Sequence, residues 1–203
     1  MTLTKLHRTN AKILGIFIVL HLANHTALLI SRQTHLELIE RLRVFYRPWF
    51  IEYPLYFLFA LQIIIGVVMI ARRGKPSNKW AWAQVLSGGY IAFFLLQHMS
   101  AAVMARAMHD FETTTYWAAS VVSKAPFVYY FFPYYVLAIF AMFTHVAAAM
   151  RFSIYPKPAS TLHKALPVVG LVLGVAIVTA LSLGSAVEMP PALQTYLDSF
   201  YKS

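Results

Sequence analysis

Five long apolar runs, separated by short polar segments, dominate the hydrophobic pattern of this chain. They lie at about 11–30, 51–71, 80–105, 126–150 and 165–187. Each run is long enough to cross a hydrocarbon core as a helix, which takes about 20 residues. Helices are favoured because unpaired backbone groups are costly in lipid. None of the polar segments is a linker between domains, so the pattern predicts one all-α domain over residues 1–203, an integral membrane bundle of five transmembrane helices.

The composition argues against a water-soluble protein. Hydrophobic residues make up 60% of the 203 positions and charged residues only 12%, unlike an average globular chain. The first run lacks the small-residue cleavage pattern of a secretory signal and contains His21, Asn24 and His25, so we expect it to be retained as a span. Because the chain has no cysteine, any iron–sulfur centre in a complex must belong to a partner.

Two of the polar segments and the fifth run have patterns of their own. Residues 35–47 alternate apolar and charged positions as in a short helix lying along the headgroups, and 113–123 is predicted to do the same. The fifth run is rich in small residues, including Gly170 and Gly174, which permit close helix packing. It is therefore predicted to be a packing helix.

Basic and acidic residues are divided unevenly between the two sides of the predicted bundle. The amino terminus and the segments 72–79 and 151–164 carry ten Lys and Arg and no acid, whereas the other side carries seven basic and seven acidic residues. The positive-inside rule then predicts a cytoplasmic amino terminus and an outer carboxy terminus. The net charge of +10 indicates contact with membrane lipid. Nucleic-acid binding is disfavoured because the cations form no continuous face.

Histidines inside the apolar runs are the strongest functional signal, because ionisable groups are expensive within a bilayer. His21 lies fourteen residues after the polar His7, and His98 lies fourteen residues after Gln84. Both runs point outward, so at about 1.5 Å per residue the two imidazoles are predicted at one depth. Two imidazoles at one depth on two helices can hold a haem iron from both faces, which suits electron transfer. Zinc is a weaker alternative, and a plain interhelical hydrogen bond is the alternative without a cofactor.

A second haem is an open possibility on the inner side. His145 is predicted in the inner half of the fourth run, but the second run offers only Gln62 at its midpoint, or the thioether of Met69, as a partner. His25 is a spare ligand for the outer haem or a contact to a haem propionate. The sequence predicts one haem b and leaves the second undecided.

Thr4, His7 and Arg8 form a small polar group at the inner boundary of the first run. A quinone headgroup needs hydrogen-bond donors for its carbonyl oxygens beside an apolar slot for its tail. These residues are predicted quinone contacts. The alternative is an ordinary basic flank of a first span.

The chain resembles a known family, the membrane-anchor cytochrome b subunits of succinate:quinone oxidoreductases and fumarate reductases, in their five-helix, single-polypeptide form. Leu6-His7-Arg8 is similar to the Leu-His-Arg motif that opens the family's first helix, and the segment from Gln84 through Ser87-Gly88 resembles the motif that opens the third. The likeness extends over roughly residues 4–155.

The resemblance implies haem ligands at His21, His98 and His145, and departs from the family at two places. Gln62 stands in the second helix, where two-haem members have a ligand, and Val85 and Leu86 follow Gln84 where an arginine is expected. The resemblance further implies a flavoprotein and an iron–sulfur protein docked on the cytoplasmic side, electron exchange with quinone, and a bacterial inner membrane location.

The predicted function is thus that of a non-catalytic electron-transfer subunit of a quinone oxidoreductase complex in the respiratory chain. Two alternatives stay open. In the first, the chain is the cytochrome b subunit of another respiratory complex, of the hydrogenase or formate dehydrogenase type. In the second, it is a haem-free scaffold subunit. A solute transporter is disfavoured because the sequence shows neither an inverted repeat nor a pair of broken helices.

Overall fold

The described part of the chain is helical, in line with the pattern of apolar runs. A computed structural model describes residues 2–153, 160–183 and 190–201. Within those ranges it contains the following helices: α1 Leu3–Thr26, α2 Arg32–Tyr46, α3 Trp49–Arg72, α4 Lys79–His109, α5 Thr115–Ser120, α6 Phe127–Ser153, α7 Thr161–Leu183 and α8 Pro191–Tyr201, with a 3-10 turn at Ala27–Leu29. Five of them, α1, α3, α4, α6 and α7, are long and apolar enough to cross a membrane. The prediction of an all-α, multi-pass membrane protein is confirmed.

Side-chain caps set the starts of the helices. Thr2 accepts a hydrogen bond from the backbone N–H of Lys5, so α1 begins well before the apolar run that predicted it. Asn78 caps α4 through the N–H groups of Trp80 and Ala81. The early start of α1 matters for function, because it puts Thr4, His7 and Arg8 on the first turns of the helix itself.

The spanning helices pack in a sequence around the bundle. Helix α3 lies against α1, α4 lies between α3 and α6, and α6 packs along α7. The α6–α7 contact is the closest, since a Cβ added to Gly170 would lie 2.6 Å from Cβ of Phe143, and one added to Gly174 would lie 3.0 Å from the carbonyl oxygen of Val136. The predicted packing role of the small residues in the fifth span is confirmed. Residues 184–187, the end of the predicted span, lie outside the described residues.

The two predicted surface helices exist as α2 and α5, but α2 is more deeply set than a helix lying on headgroups. Although Val44 and Phe45 are more than 70% exposed, α2 buries His35, Ile39 and Arg43. Arg43 forms ion pairs with Glu40 and with Glu112 of the segment before α5. The helix therefore covers the end of the bundle and directs a histidine and an arginine inward.

The middle of α4 is packed loosely. This helix has neighbours on two sides, yet no side chain between positions 88 and 104 is fully buried. In the same stretch, His98 is only partly covered by protein atoms. This stretch of α4, including the predicted haem ligand, is therefore partly or fully exposed at the surface of the bundle.

Candidate functional site: two polar clusters along the first span

Four imidazoles form a continuous row across the bundle, which we call the histidine cluster: His98 of α4, His21 and His25 of α1, and His35 of α2. The ring centroids of His21 and His98 are 6.1 Å apart, those of His21 and His25 are 4.6 Å apart, and those of His25 and His35 are 5.4 Å apart. The expected proximity of His21 and His98 is observed. Their role as metal ligands stays a prediction.

Aromatic rings flank the two central imidazoles. Phe17, one turn before His21, stacks on its ring at a centroid distance of 5.5 Å, and Phe94, one turn before His98, stacks on that ring at 4.9 Å. Tyr135 of α6 approaches the His98 ring edge-on at 6.3 Å. Since each stacked pair is spaced i, i+4 on one helix, the local sequence dictates both contacts. The surroundings of the two imidazoles are apolar and restrict their rotation.

Hydrogen bonding differs along the row. Nε2 of His21 and Nε2 of His25 share a hydrogen bond of 3.2 Å, and the ring nitrogens of His98 make no hydrogen bond within the described residues. His35 is fully engaged, because its Nε2 lies 3.1 Å from the amide nitrogen of Asn24 and its Nδ1 lies 2.5 Å from the Thr115 hydroxyl. The free nitrogens are thus found at the His98 end of the cluster.

His35 is kept neutral by its surroundings. Burial lowers the pKa of His35 from 6.5 to about 4, and the neighbouring His21, Arg32 and Arg43 act in the same direction. The sequence analysis placed His35 on a surface helix and missed this burial. The burial of His35 depends on how α2 is rotated against the bundle, and the apolar positions of α2 do not determine that rotation.

A second group of polar side chains, the amide cluster, consists of His7 and Asn10 of α1 with Gln62 of α3. The Asn10 amide nitrogen donates to the carbonyl oxygen of Leu58 at 2.8 Å and to Oε1 of Gln62 at 2.8 Å. Gln62 then presents its own amide nitrogen to Nε2 of His7 at 3.2 Å. Asn10, which the sequence analysis did not single out, lies at i+3 from His7, and that spacing was the available signal.

These bonds decide which nitrogen of His7 carries the proton. A backbone carbonyl only accepts, so the Asn10 atom facing Leu58 must be its NH2 group, and the same logic fixes Gln62 as the donor to His7. Nε2 of His7 is then the acceptor, and the proton resides on Nδ1. That Nδ1 is buried and has no hydrogen-bond partner in the described structure. The amide cluster therefore presents one N–H donor, Nδ1 of His7, that has no acceptor among the described residues.

His145 of α6 lies beside α4. Its Nδ1 is 3.2 Å from the backbone oxygen of Gln84 and 3.2 Å from the Ser87 hydroxyl, and its ring lies against Gly88, where an added Cβ would be 3.0 Å from Cε1. A histidine whose Nδ1–H bonds a backbone carbonyl is oriented as metal-binding histidines usually are. Gln62, the predicted partner for a second haem, is already bonded to Asn10 and His7.

The predicted quinone contacts are not all brought together. His7 points toward α3, where an added Cβ at Gly66 would lie 3.6 Å from its ring, whereas Thr4 and Arg8 are exposed on α1. Thr4 and Arg8 are one helical turn apart and share a face. Of the three, His7 alone is engaged in the interior.

A bare metal ion and a haem iron need different numbers of protein ligands. Within residues 2–153, 160–183 and 190–201, no group of three or more His, Asp or Glu side chains is arranged to hold a metal ion. A bare zinc ion needs three or four protein ligands, whereas a haem iron takes four of its ligands from the porphyrin. The structure brings the rings of His21 and His98, on two different helices, to a centroid distance of 6.1 Å.

No significant match was found to a family model, a curated protein or a solved structure.

Proposed function

We propose that this protein is the membrane-anchoring haem b subunit of a succinate dehydrogenase or fumarate reductase type of complex, carrying electrons between a peripheral redox module and membrane quinone. The observation that supports this most is the 6.1 Å separation of the His21 and His98 ring centroids. A metal–imidazole bond is about 2 Å long, so two rings on opposite sides of one metal have centroids roughly 6 Å apart. The residues present therefore fit the group.

His21 and His98 are the residues that would hold the haem iron. The nitrogens of His98 are free of hydrogen bonds within the described structure, and His21 would exchange its bond with His25 for the iron. When bound, the haem supplies one-electron chemistry at an iron with no position open to substrate. Phe17, Phe94 and Tyr135 limit ring rotation and keep the site apolar, conditions that adjust the potential of an electron carrier.

The amide cluster is the proposed quinone contact. A buried N–H without an acceptor is costly, and a quinone carbonyl oxygen is an acceptor of the right kind for Nδ1 of His7. Gln62 and Asn10 hold that imidazole in the donor tautomer. Thr4 and Arg8, exposed on the same helix, would contact the headgroup from the lipid side. His145 and Gln62 stay candidate contacts for a second haem.

The charge pattern supports the proposed location and partners. The segments rich in Lys and Arg would face the cytoplasm of a bacterial cell, with the protein in its inner membrane. A flavoprotein subunit and an iron–sulfur subunit would dock on that face, since the chain has no cysteine of its own for a cluster.

The test is a reduced-minus-oxidised absorption spectrum of the full-length protein, followed by a pyridine haemochrome assay on variants. We expect a b-type α band in the wild type, its loss in His21→Ala and His98→Ala, and its retention in His25→Ala. His145→Ala counts the haems: the full band is retained if one haem is present and is partly lost if His145 holds a second. A folded wild type without a b-type band refutes the proposal, and soluble subunits of a hydrogenase that co-purify with the protein would reassign the complex.

A further inference from the structure

Arg32, the first residue of α2, has a guanidinium group that forms no ion pair with the described residues. Both of its terminal nitrogens are buried and find no hydrogen-bond acceptor in the described parts of the chain. Its Cζ lies 5.3 Å from the centroid of the Tyr116 ring. A buried charge is costly unless it is paired, so this arginine calls for an anionic group that the described residues do not provide.

The acidic side chains closest in sequence are engaged elsewhere. Glu37 accepts a hydrogen bond from Gln33, and Glu40 forms an ion pair with Arg43. Farther along the chain, Glu112 bridges Arg43 and Arg47. The missing anion is therefore not one of these carboxylates in a slightly different rotamer.

The position of Arg32 relates it to the histidine cluster. Arg32 lies one helical turn before His35 and close enough to influence that imidazole electrostatically. The His35 ring is 5.4 Å from the ring of His25, which in turn hydrogen-bonds to His21. The unpaired cation thus lies at the α2 end of the same row of imidazoles whose other end is His98.

Resting on the proposed function, we infer that Arg32 binds a carboxylate of the haem, namely one of its propionates. The planar guanidinium donates two parallel hydrogen bonds to a carboxylate, and both terminal nitrogens of Arg32 are available for this. A lipid phosphate has related anionic oxygens. The haem is favoured because the guanidinium is buried beside the histidine cluster.

The experiment compares two porphyrins that differ only at the carboxylates. Full-length protein in detergent, stripped of haem, is titrated with iron protoporphyrin IX and with its dimethyl ester, in the wild type and in Arg32→Gln. The matched control is Arg41→Gln, an exposed arginine on the same helix. Binding is followed by the absorption band, and native mass spectrometry of the same samples reports retained phospholipid.

We expect the wild type and Arg41→Gln to bind the free acid at least about tenfold more tightly than the ester, the value of one charge-assisted hydrogen bond. Arg32→Gln should bind both porphyrins with the affinity that the wild type has for the ester. If Arg32→Gln keeps the full preference, the inference is refuted while the haem proposal stands. If the wild type binds neither porphyrin, both fail.

Two further outcomes are decisive. A wild type that binds both porphyrins equally, together with an anionic phospholipid that is lost in Arg32→Gln, would assign the site to a lipid phosphate and overturn the inference. Should Arg32→Gln not fold, Arg32→Lys replaces it. Lysine keeps the charge but lacks the planar fork. The ratio of the affinity for the free acid to the affinity for the ester should therefore lie between one and the wild-type ratio in Arg32→Lys. An unchanged preference in Arg32→Lys would overturn the inference.

Discussion

The histidine cluster and the amide cluster both use imidazoles on α1, but they differ in how the ring nitrogens are engaged. In the amide cluster, a chain of bonds from the Leu58 carbonyl through Asn10 and Gln62 fixes the proton of His7 on Nδ1. In the histidine cluster, His21 bonds only to another imidazole, and His98 makes no hydrogen bond within the described residues. A fixed N–H suits recognition of a carbonyl oxygen, whereas an exchangeable lone pair suits a metal. One helix thus presents two kinds of imidazole chemistry.

The largest effect is expected from changing the character of one ligand in the histidine cluster. His21→Met should retain haem and raise its midpoint potential, because a thioether ligand favours the reduced iron, within the roughly 0.8 V range that axial ligands span. The measurement is a redox titration of the α band. His25→Met is the matched control and should leave the potential near the wild-type value. A shift of the midpoint potential in His25→Met, with none in His21→Met, would mean that His25 and not His21 holds the haem iron.

A smaller effect is expected from breaking the amide cluster. Gln62→Leu removes the donor to His7, so the proton of that imidazole is no longer fixed on Nδ1. The rate of haem reduction by a short-chain quinol at low quinol concentration should fall about three- to tenfold, the value of one hydrogen bond, with haem content unchanged. Gln97→Leu, an exposed glutamine on α4, serves as control. Equal rates in both variants would mean that the amide cluster does not take part in quinone binding.

The third prediction concerns pH and uses His35, which links α2 to the histidine cluster. The pKa of His35 is about 4 in the folded protein and 6.5 when unperturbed. The unfolded chain therefore takes up more protons than the folded one between these values, so stability should be complete above pH 6.5 and decline as the pH falls toward 4. Thermal unfolding in detergent across this range measures the decline. In His35→Gln the decline should be shallower, and an identical profile would contradict the assignment.

The smallest effect is expected at the outer ion pairs of α2. Glu112→Gln removes a partner of Arg43 and Arg47, but the side chain of Glu112 is 64% exposed and Arg43 keeps its bond to Glu40. The loss in unfolding free energy should be below about 1 kcal/mol, as for most exposed pairs. Denaturant unfolding gives the value. A loss several times larger would mean that α2 is held to the bundle chiefly by charge.

The number and approximate positions of the spans were predictable from the sequence, and the candidate site was predictable in part. Equal offsets from His7 and Gln84 predicted that His21 and His98 would be level, and their rings are close in the structure. The i, i+4 spacing of Phe17 and Phe94 before these histidines would have predicted the stacked rings as well. These features follow from local helical geometry.

Other parts of the site were not predictable, because they depend on how helices are rotated against one another. His35 was expected on a surface helix and is buried, and Arg32 was expected only as one of the basic residues of the outer side. The bond between Asn10 and Gln62 joins residues more than 50 positions apart. A periodic pattern states which face of a helix is apolar, but it does not state which polar side chain on another helix will lie opposite.

The sequence by itself determined that this is a helical membrane protein with histidines at defined depths, because the cost of placing polar groups in lipid applies to each segment separately. The tertiary structure alone decided which ring nitrogens are bonded, and which donor of His7 and which buried guanidinium find no partner among the described residues. Those properties belong to pairs of atoms from different helices, and only the packing of the bundle brings such pairs within hydrogen-bond distance.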